Sequence, residues 1–313
     1  MRTVKENIEC SGVGIHSGLP VNMIIRPSDK PGIFFRRIDL DDKSLIPAMF
    51  DNVCDTKMRN TTVGSLNGPH VKTIEHLMAA LFVAGVDSAL IDVDGAEVPI
   101  MNGSASLFYR RIIEAGVTSK GQYKKIIVKK PVIVYAREII SKLPIWQRIH
   151  LFFSNLFSGR RSDGFVKLSP SNNVALNIKA TLVYKEPIIG KQSFVYSFDN
   201  TKWAAQNFIK NIASARTFGK ISEWRYLKAR GMARGADEKN VVVLDYCGNS
   251  TLNRIYWPDE FVRHKIIDII GDMFTSGGWI VGNIESYKGS HEMNNILIKK
   301  LFSNPDNYDI IDA

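Results

Sequence analysis

Between Glu260 and Ser276 the sequence sets Ile266, Ile267, Ile269, Ile270, Met273 and Phe274 so that a helix there is apolar over most of its circumference. On the remaining face fall His264, Asp268 and Asp272, spaced i, i+4, i+8 and hence stacked on one side. An ionised carboxylate buried without a partner is costly, so Asp268 and Asp272 demand a cation or a hydrogen-bond network. His264 and Asp268 together offer one nitrogen and one oxygen to a single metal, two of the three protein ligands of a catalytic zinc site. The same pattern equally suits a polar seam solvated at a domain interface.

A third ligand has to come from elsewhere. Of the six histidines, His76 follows Glu75 directly in Thr73-Ile74-Glu75-His76-Leu77, in the first turn of the next apolar helix. Adjacent helical residues point about 100° apart, so both can face one cavity near a helix end, one binding metal and the other handling protons. The alternative is Glu75 favouring the positive N-terminal dipole while His76 packs half-buried. His16, in Gly12-Val13-Gly14-Ile15-His16-Ser17-Gly18, and His291, in Gly289-Ser290-His291-Glu292-Met293-Asn294-Asn295, lie in glycine-flanked turns that let side chain and backbone approach a ligand. His70 carries no signal beyond turn chemistry.

The elements that must position these residues read as an α/β (α+β) chain. Val21 to Arg26 and Gly32 to Arg37 are short strands bounded by Pro20, Pro27 and Pro31. Thr73 is placed to cap a helix over 74–84 that Gly85 ends; a strand follows over 89–95 and a second helix over 105–115. The order recurs: Asp259 is placed to cap a helix over 260–276, Trp279 to Ile284 form a strand, and an amphipathic helix covers 293–302. Leu81-Phe82-x-x-Gly85 and Met273-Phe274-x-x-Gly277 echo each other across the two halves. The repeat predicts two similar domains, each a small sheet with two helices, packed together, over residues 1–121 and 122–313. Two stretches, 137–164 and 218–245, fit neither half and read as inserts in the second domain.

Composition narrows the class. A chain of 313 residues with 45% hydrophobic and 23% charged residues is globular, and no apolar run reaches the length of a membrane span. The N-terminus carries charge where a secretory signal would be apolar. Cys10, Cys54 and Cys247 stand far apart and make neither a disulfide scaffold nor a Cys-type zinc finger, which predicts a reduced, cytoplasmic protein. The net charge is +10, but from Lys120 to Lys167 eleven basic residues face only Glu138 and Asp163, so nearly all of the excess belongs to one region. With no RNP sequence, KH loop or zinc finger, no nucleic-acid partner is expected.

Taken in order, Gly12 to Gly18, Thr73 to Leu81, Pro99-Ile100-Met101-Asn102-Gly103-Ser104-Ala105, Ala215-Arg216-Thr217-Phe218-Gly219, Phe261-Val262-Arg263-His264-Lys265, Asp268-x-x-Gly271-Asp272 and Ser290-His291-x-x-Asn294-Asn295 resemble the UDP-3-O-acyl-N-acetylglucosamine deacetylases over nearly the whole chain. The resemblance implies a zinc enzyme of lipid A synthesis that releases acetate from a UDP-linked, 3-O-acylated N-acetylglucosamine, with zinc or ferrous iron in the site. It implies that His76, His264 and Asp268 bind the metal, that Glu75 is the general base, and that the Thr217 hydroxyl supports the developing oxyanion. It further implies that His291 acts as general acid or as a stabilising charge, oriented by Asp272, and that Lys265 meets the UDP diphosphate. Tyr184, Phe218 and His16 are expected among the substrate contacts. A zinc deacetylase for another acetamido sugar and a membrane-associated scaffold with a lapsed site compete with this reading; intact Glu75, His76, His264 and Asp268 oppose the second.

Three places depart from the family's pattern. Asn102 stands where an aspartate is usual; Arg59, within the small first-domain insert near 55–65 that the resemblance implies, stands where a smaller residue is common; and Arg234-Gly235-Ala236-Asp237-Glu238-Lys239 puts charge into the insert expected to form the acyl passage. The segment 137–164 is longer than the family's usual length. Within it Ile145, Trp146, Ile149, Phe152, Phe153, Leu156 and Phe157 form an apolar stripe with Lys142, Arg160 and Arg161 at its ends, the pattern of a helix lying in a membrane interface. Residues 143–160 are thus expected to dock on the inner membrane; packing on the chain's own core or on a second subunit are the alternatives.

Overall fold

Strand Pro20–Arg26 turns Val21, Met23 and Ile25 inward and the residues between them outward, the two-residue period of a half-buried strand. The structure, a computed structural model, describes residues 1–56, 59–141, 163–229 and 231–313. In it this strand joins a sheet ordered Ile8–Val13, Pro20–Arg26, Ser88–Val93, Gly32–Arg37, Leu45–Pro47. The central strand Ser88–Val93 runs antiparallel to Pro20–Arg26 and parallel to Gly32–Arg37.

The second half repeats the plan. Val132–Tyr135, Phe165–Ser169, Trp279–Tyr287, Leu176–Val183 and Lys191–Phe198 stand in the same order, and the central Trp279–Tyr287 is again antiparallel to one neighbour and parallel to the other. Lys124–Val128 and Tyr308–Asp312 extend this sheet from the opposite end of the central strand. In each half one helix precedes the central strand and one follows it: Glu75–Ala84 and Ser106–Ala115, then Glu260–Phe274 and His291–Phe302. The architecture is α+β with two similar halves, as the sequence repeat implies. The paired glycines of that repeat are both left-handed, at φ of 76° and 80°: Gly85 caps its helix, and Gly277 stands three residues past the end of Glu260–Phe274.

Helix Glu75–Ala84 is buried from Glu75 through Val83, which its all-round apolar sequence requires. It packs on Glu260–Phe274, with the rings of Phe82 and Phe274 edge to face at 5.3 Å. A side-chain carbon at Gly271 would stand 2.0 Å from the Glu75 carbonyl oxygen, so only glycine permits so close an approach of the two helices. One continuous core joins Ile25 and Ile91 of the first sheet, Leu77 and Phe82, Ile266 and Ile270, and Ile178 and Ile284 of the second sheet. The chemistry-bearing ends of the two central helices are thereby pressed together.

Two of the three expected inserts, the one in the first half and the later one in the second, contain strands of their own. In the first half Val53–Asp55, Thr62–Gly64 and His70–Val71 make a small three-stranded sheet. In the second, Phe218–Lys220 pairs in parallel with Val242–Leu244 around helix Ile221–Ala229. Ala233, Ala236, Val241 and Val243 form a separate apolar cluster there, with Ile15 of the first half packed on it. Arg59 bridges the two inserts through Glu223 Oε2 at 2.9 Å.

Some local expectations are corrected. Thr73 does not cap the Glu75–Ala84 helix: it sits at φ +61°, and its hydroxyl donates instead to Glu97 Oε1 at 3.0 Å. A β-branched residue in that region is strained and persists only because its surroundings hold it. Asp259 precedes its helix without capping it, because Arg263 takes its carboxylate at 2.7 Å. His291 opens the last helix rather than sitting in a turn; Ser290 is the cap, accepting from the Met293 N–H at 3.3 Å. The amphipathic stretch 143–160 lies outside the described residues. Among those described, no helix is long and apolar enough to cross a membrane.

Candidate metal centre and catalytic groups

The close approach of the two central helices brings His76 within reach of the second helix's polar face. The ligand atoms of His76, His264 and Asp268 all lie within 4.8 Å of one another, and all three residues are buried. Their imidazoles meet edge to face at 4.9 Å between centroids. His264 Nδ1 stands 3.0 Å from the Ala215 carbonyl, which can only accept, so the ring proton sits on Nδ1 and Nε2 is left with a free lone pair. Burial drives the His264 pKa down to about 3 against the pull of Asp268, so the ring is neutral, the form a metal requires.

Asp268 divides its two oxygens. Oδ2 receives Lys265 Nζ at 2.6 Å, while Oδ1 lies 3.4 Å from His264 Nε2 and 3.7 Å from His76 Nε2. Oδ1 is buried with no hydrogen-bond partner. Burial alone would raise this carboxyl, but the cationic Lys265 above all outweighs it and holds it well below the usual carboxylate range. An ionised, orphaned oxygen facing two imidazole nitrogens fits a divalent cation; two nitrogens and one oxygen are a common donor set for zinc.

Beside these three residues lie two further buried titratable groups, Glu75 and His291. Glu75 begins its helix, 3% exposed, and its Oε2 accepts from the Thr61 N–H at 2.9 Å. Burial pushes its pKa up, against the opposing pull of His291 and His76. His291 Nδ1 bonds Asp272 Oδ2 at 2.8 Å, and its Nε2 stands 3.8 Å from Asp268 Oδ2. Burial opposes the charged imidazole, but Asp272 and then Asp268 overcome it and raise the His291 pKa to about 9.

The chain's first 303 residues match the family model described as UDP-3-O-acyl N-acetylglycosamine deacetylase. The chain belongs to this family. Proteins named UDP-3-O-acyl-N-acetylglucosamine deacetylase are similar to it along their length. That of a Nitratiruptor species is 35% identical, covering 100% of this chain and 93% of its own. That of Helicobacter pylori is 34% identical, over 99% of this chain and 94% of its own, and that of Nautilia profundicola is 37% identical, over 96% and 91%. The family is one of metal-dependent deacetylases, and the three-residue cluster of this member is where a metal fits.

The other residues singled out from the sequence divide into two groups. The Phe218 ring lies 6.3 Å from that of His264 and 5.0 Å from Phe261, and Tyr184, 43% exposed, meets Phe218 edge-on at 5.9 Å. Thr217 is held by its backbone, its N–H donating to the Gly103 carbonyl at 2.9 Å, two residues beyond the carbonyl that fixes His264. His16 is tied elsewhere: its N–H bonds Glu97 Oε1 at 3.0 Å, and its carbonyl accepts from Arg234 in the second insert at 3.2 Å.

Sequence reasoning missed four supports. The Thr61 hydroxyl donates to Asp272 Oδ1 at 2.6 Å, and Asn294 Nδ2 to Asp272 Oδ2 at 2.8 Å. Glu97, 2% exposed, gathers the His16 and Ser17 amides and the Thr73 hydroxyl. Arg216 and Glu260 form a buried ion pair at 3.0 Å beside Ala215. Asn294 was findable, three residues after His291 on one helix face; the others act across large sequence separations.

Proposed function

We propose that this chain removes the N-acetyl group from UDP-3-O-acyl-N-acetylglucosamine, releasing acetate and leaving a free amine, the committed step of lipid A biosynthesis. The observation that supports it is the buried, unpartnered Asp268 Oδ1 facing His76 and His264 beside a carboxylate base, in a chain that belongs to the deacetylase family. His76, His264 and Asp268 would hold one zinc ion, with ferrous iron the competing occupant. Such an ion supplies a Lewis acid that polarises the acetamide carbonyl and acidifies water.

The chain's own groups do the rest. Glu75, its pKa raised by burial, takes the proton from the attacking water at its carboxylate. The Thr217 hydroxyl donates to the carbonyl oxygen as it gains charge. His291, held protonated by Asp272, gives its Nε2 proton to the departing amine or stabilises the adduct by its charge. Lys265, already paired with Asp268, presents a point charge to the diphosphate. Phe218 and Tyr184 line the route by which sugar and acyl chain approach, and His16, bonded through its carbonyl to Arg234 of the second insert, flanks that route from the first half. Residues 143–160 dock the enzyme on an anionic membrane surface, where a lipid-like substrate is found.

Turnover of the 3-O-acylated substrate, followed by the appearance of free amine, tests the reading. Equal turnover of UDP-N-acetylglucosamine without an acyl chain would move it to another acetamido sugar.

A further inference from the structure

Thr61 belongs to the first insert and is 2% exposed. All of its polar groups are engaged. Its N–H donates to Glu75 Oε2 at 2.9 Å, its hydroxyl to Asp272 Oδ1 at 2.6 Å, and its carbonyl accepts from the Ile74 N–H at 3.3 Å. The amide and carbonyl contacts need only main chain. The hydroxyl contact needs threonine or serine, and it reaches a carboxylate 211 residues away on the other half of the protein.

That hydroxyl settles how Asp272 can face His291. Oδ2 of Asp272 receives both His291 Nδ1 and Asn294 Nδ2, each at 2.8 Å, while Oδ1 receives Thr61. Donors on both oxygens oppose rotation about Cβ–Cγ from two sides; with Oδ1 unpaired, only the contacts at Oδ2 resist it. Without the hydroxyl, a buried carboxylate oxygen loses its donor and competes for the others.

We infer that Thr61 is a positioning residue for the deacetylation, aligning the Glu75 carboxylate through its amide and the Asp272–His291 pair through its hydroxyl. This rests on the reading of Glu75 and His291 as the proton-handling groups. One residue of the first insert, through its amide and its hydroxyl, thus sets base and histidine against each other across the reacting acetamide. Ground-state binding does not need His291 aligned, but proton transfer does, so the hydroxyl acts on kcat rather than KM.

The test is kcat, KM and metal content on the 3-O-acylated substrate for wild type, T61V, T61S, D272N and the T61V/D272N double variant. T61V is expected to lower kcat roughly 10- to 100-fold, the usual cost of losing an outer support of a reacting group, with KM and metal content near wild type. T61S restores the rate, and in the D272N background T61V costs less than about threefold, because its route of action is already cut. A T61V variant with wild-type kcat, a T61S variant as impaired as T61V, or a full T61V loss on top of D272N would each overturn the inference. Should T61V fail to fold, T61A enters the same comparisons with the same expected results. A wild type without turnover removes the underlying reading and this role together; wild-type turnover beside an unimpaired T61V removes this role alone.

Discussion

Asp268 Oδ1 lies 3.4 Å from His264 Nε2, buried and without a hydrogen-bond donor, while Lys265 occupies the other oxygen of the same carboxylate. An acceptor left unpaired in a low-dielectric interior is costly unless a cation sits against it. Around this relationship the second helix, the first helix and the loop at Ala215 each contribute a part.

The Ala215 carbonyl orients His264, and Arg216 beside it is locked to Glu260 at 3.0 Å, with both side chains nearly excluded from solvent. Removing one partner leaves a buried charge unpaired, which costs about 3–5 kcal/mol. Arg216→Ala is therefore expected to lower the thermal midpoint and to weaken metal affinity roughly 10- to 100-fold by loosening the His264 support. Metal titration into the metal-free variant checks this; an unchanged affinity would detach the ion pair from the site.

Gly271→Ala places a carbon 2.0 Å from the Glu75 carbonyl, a clash with main chain rather than with a flexible side chain. The higher helix propensity of alanine, worth about 1 kcal/mol, does not offset overpacking of roughly 1–3 kcal/mol or more. Both stability and turnover should fall, because the helix end that moves carries Glu75 and His76. Denaturant unfolding at wild-type stability would show that the helices are not this close.

In the metal-free protein His291 should keep its proton up to about pH 9, since Asp272 and Asp268 overcome the effect of burial. Its folded pKa lies above the ordinary value of 6.5, so this contribution to stability is fully present below that value and fades as pH rises through about 9. Imidazole NMR titration measures it directly. Asp272→Asn removes the leading favourable partner and should bring the transition down; a midpoint unmoved by that change would contradict the pairing.

The apolar stripe of residues 143–160, with basic residues at its ends, is expected to carry the chain onto anionic vesicles, with binding that weakens in salt. Sedimentation with anionic liposomes should show binding by the intact chain and its loss on deletion of 143–160. Undiminished sedimentation of the deleted form would assign the stripe to a protein surface instead.

Much of this was legible along the chain. The i, i+4, i+8 stack at His264, Asp268 and Asp272 and the Glu75-His76 pair are local patterns, and a helix delivers them wherever it packs. The repeated glycines at 85 and 277 marked two helix ends because a left-handed residue at that point is a local demand. What stayed hidden depends on tertiary approach. Thr73 has the chemistry of a cap, yet Glu97, in the turn after the central strand of the first sheet, claims its hydroxyl. Thr61 reaches Asp272 only because two halves of the protein meet there, and no spacing records that.

In the proposed site His76, His264 and Asp268 would hold one catalytic metal ion, with Glu75 as the base beside it. The direct measurement is metal stoichiometry with deacetylase turnover for wild type, Glu75→Ala and His264→Ala. Glu75→Ala should keep close to one metal ion per chain while losing roughly 100- to 10,000-fold in rate, and His264→Ala should lose metal and rate together. Wild-type turnover in Glu75→Ala, or full metal content in His264→Ala, would contradict the account.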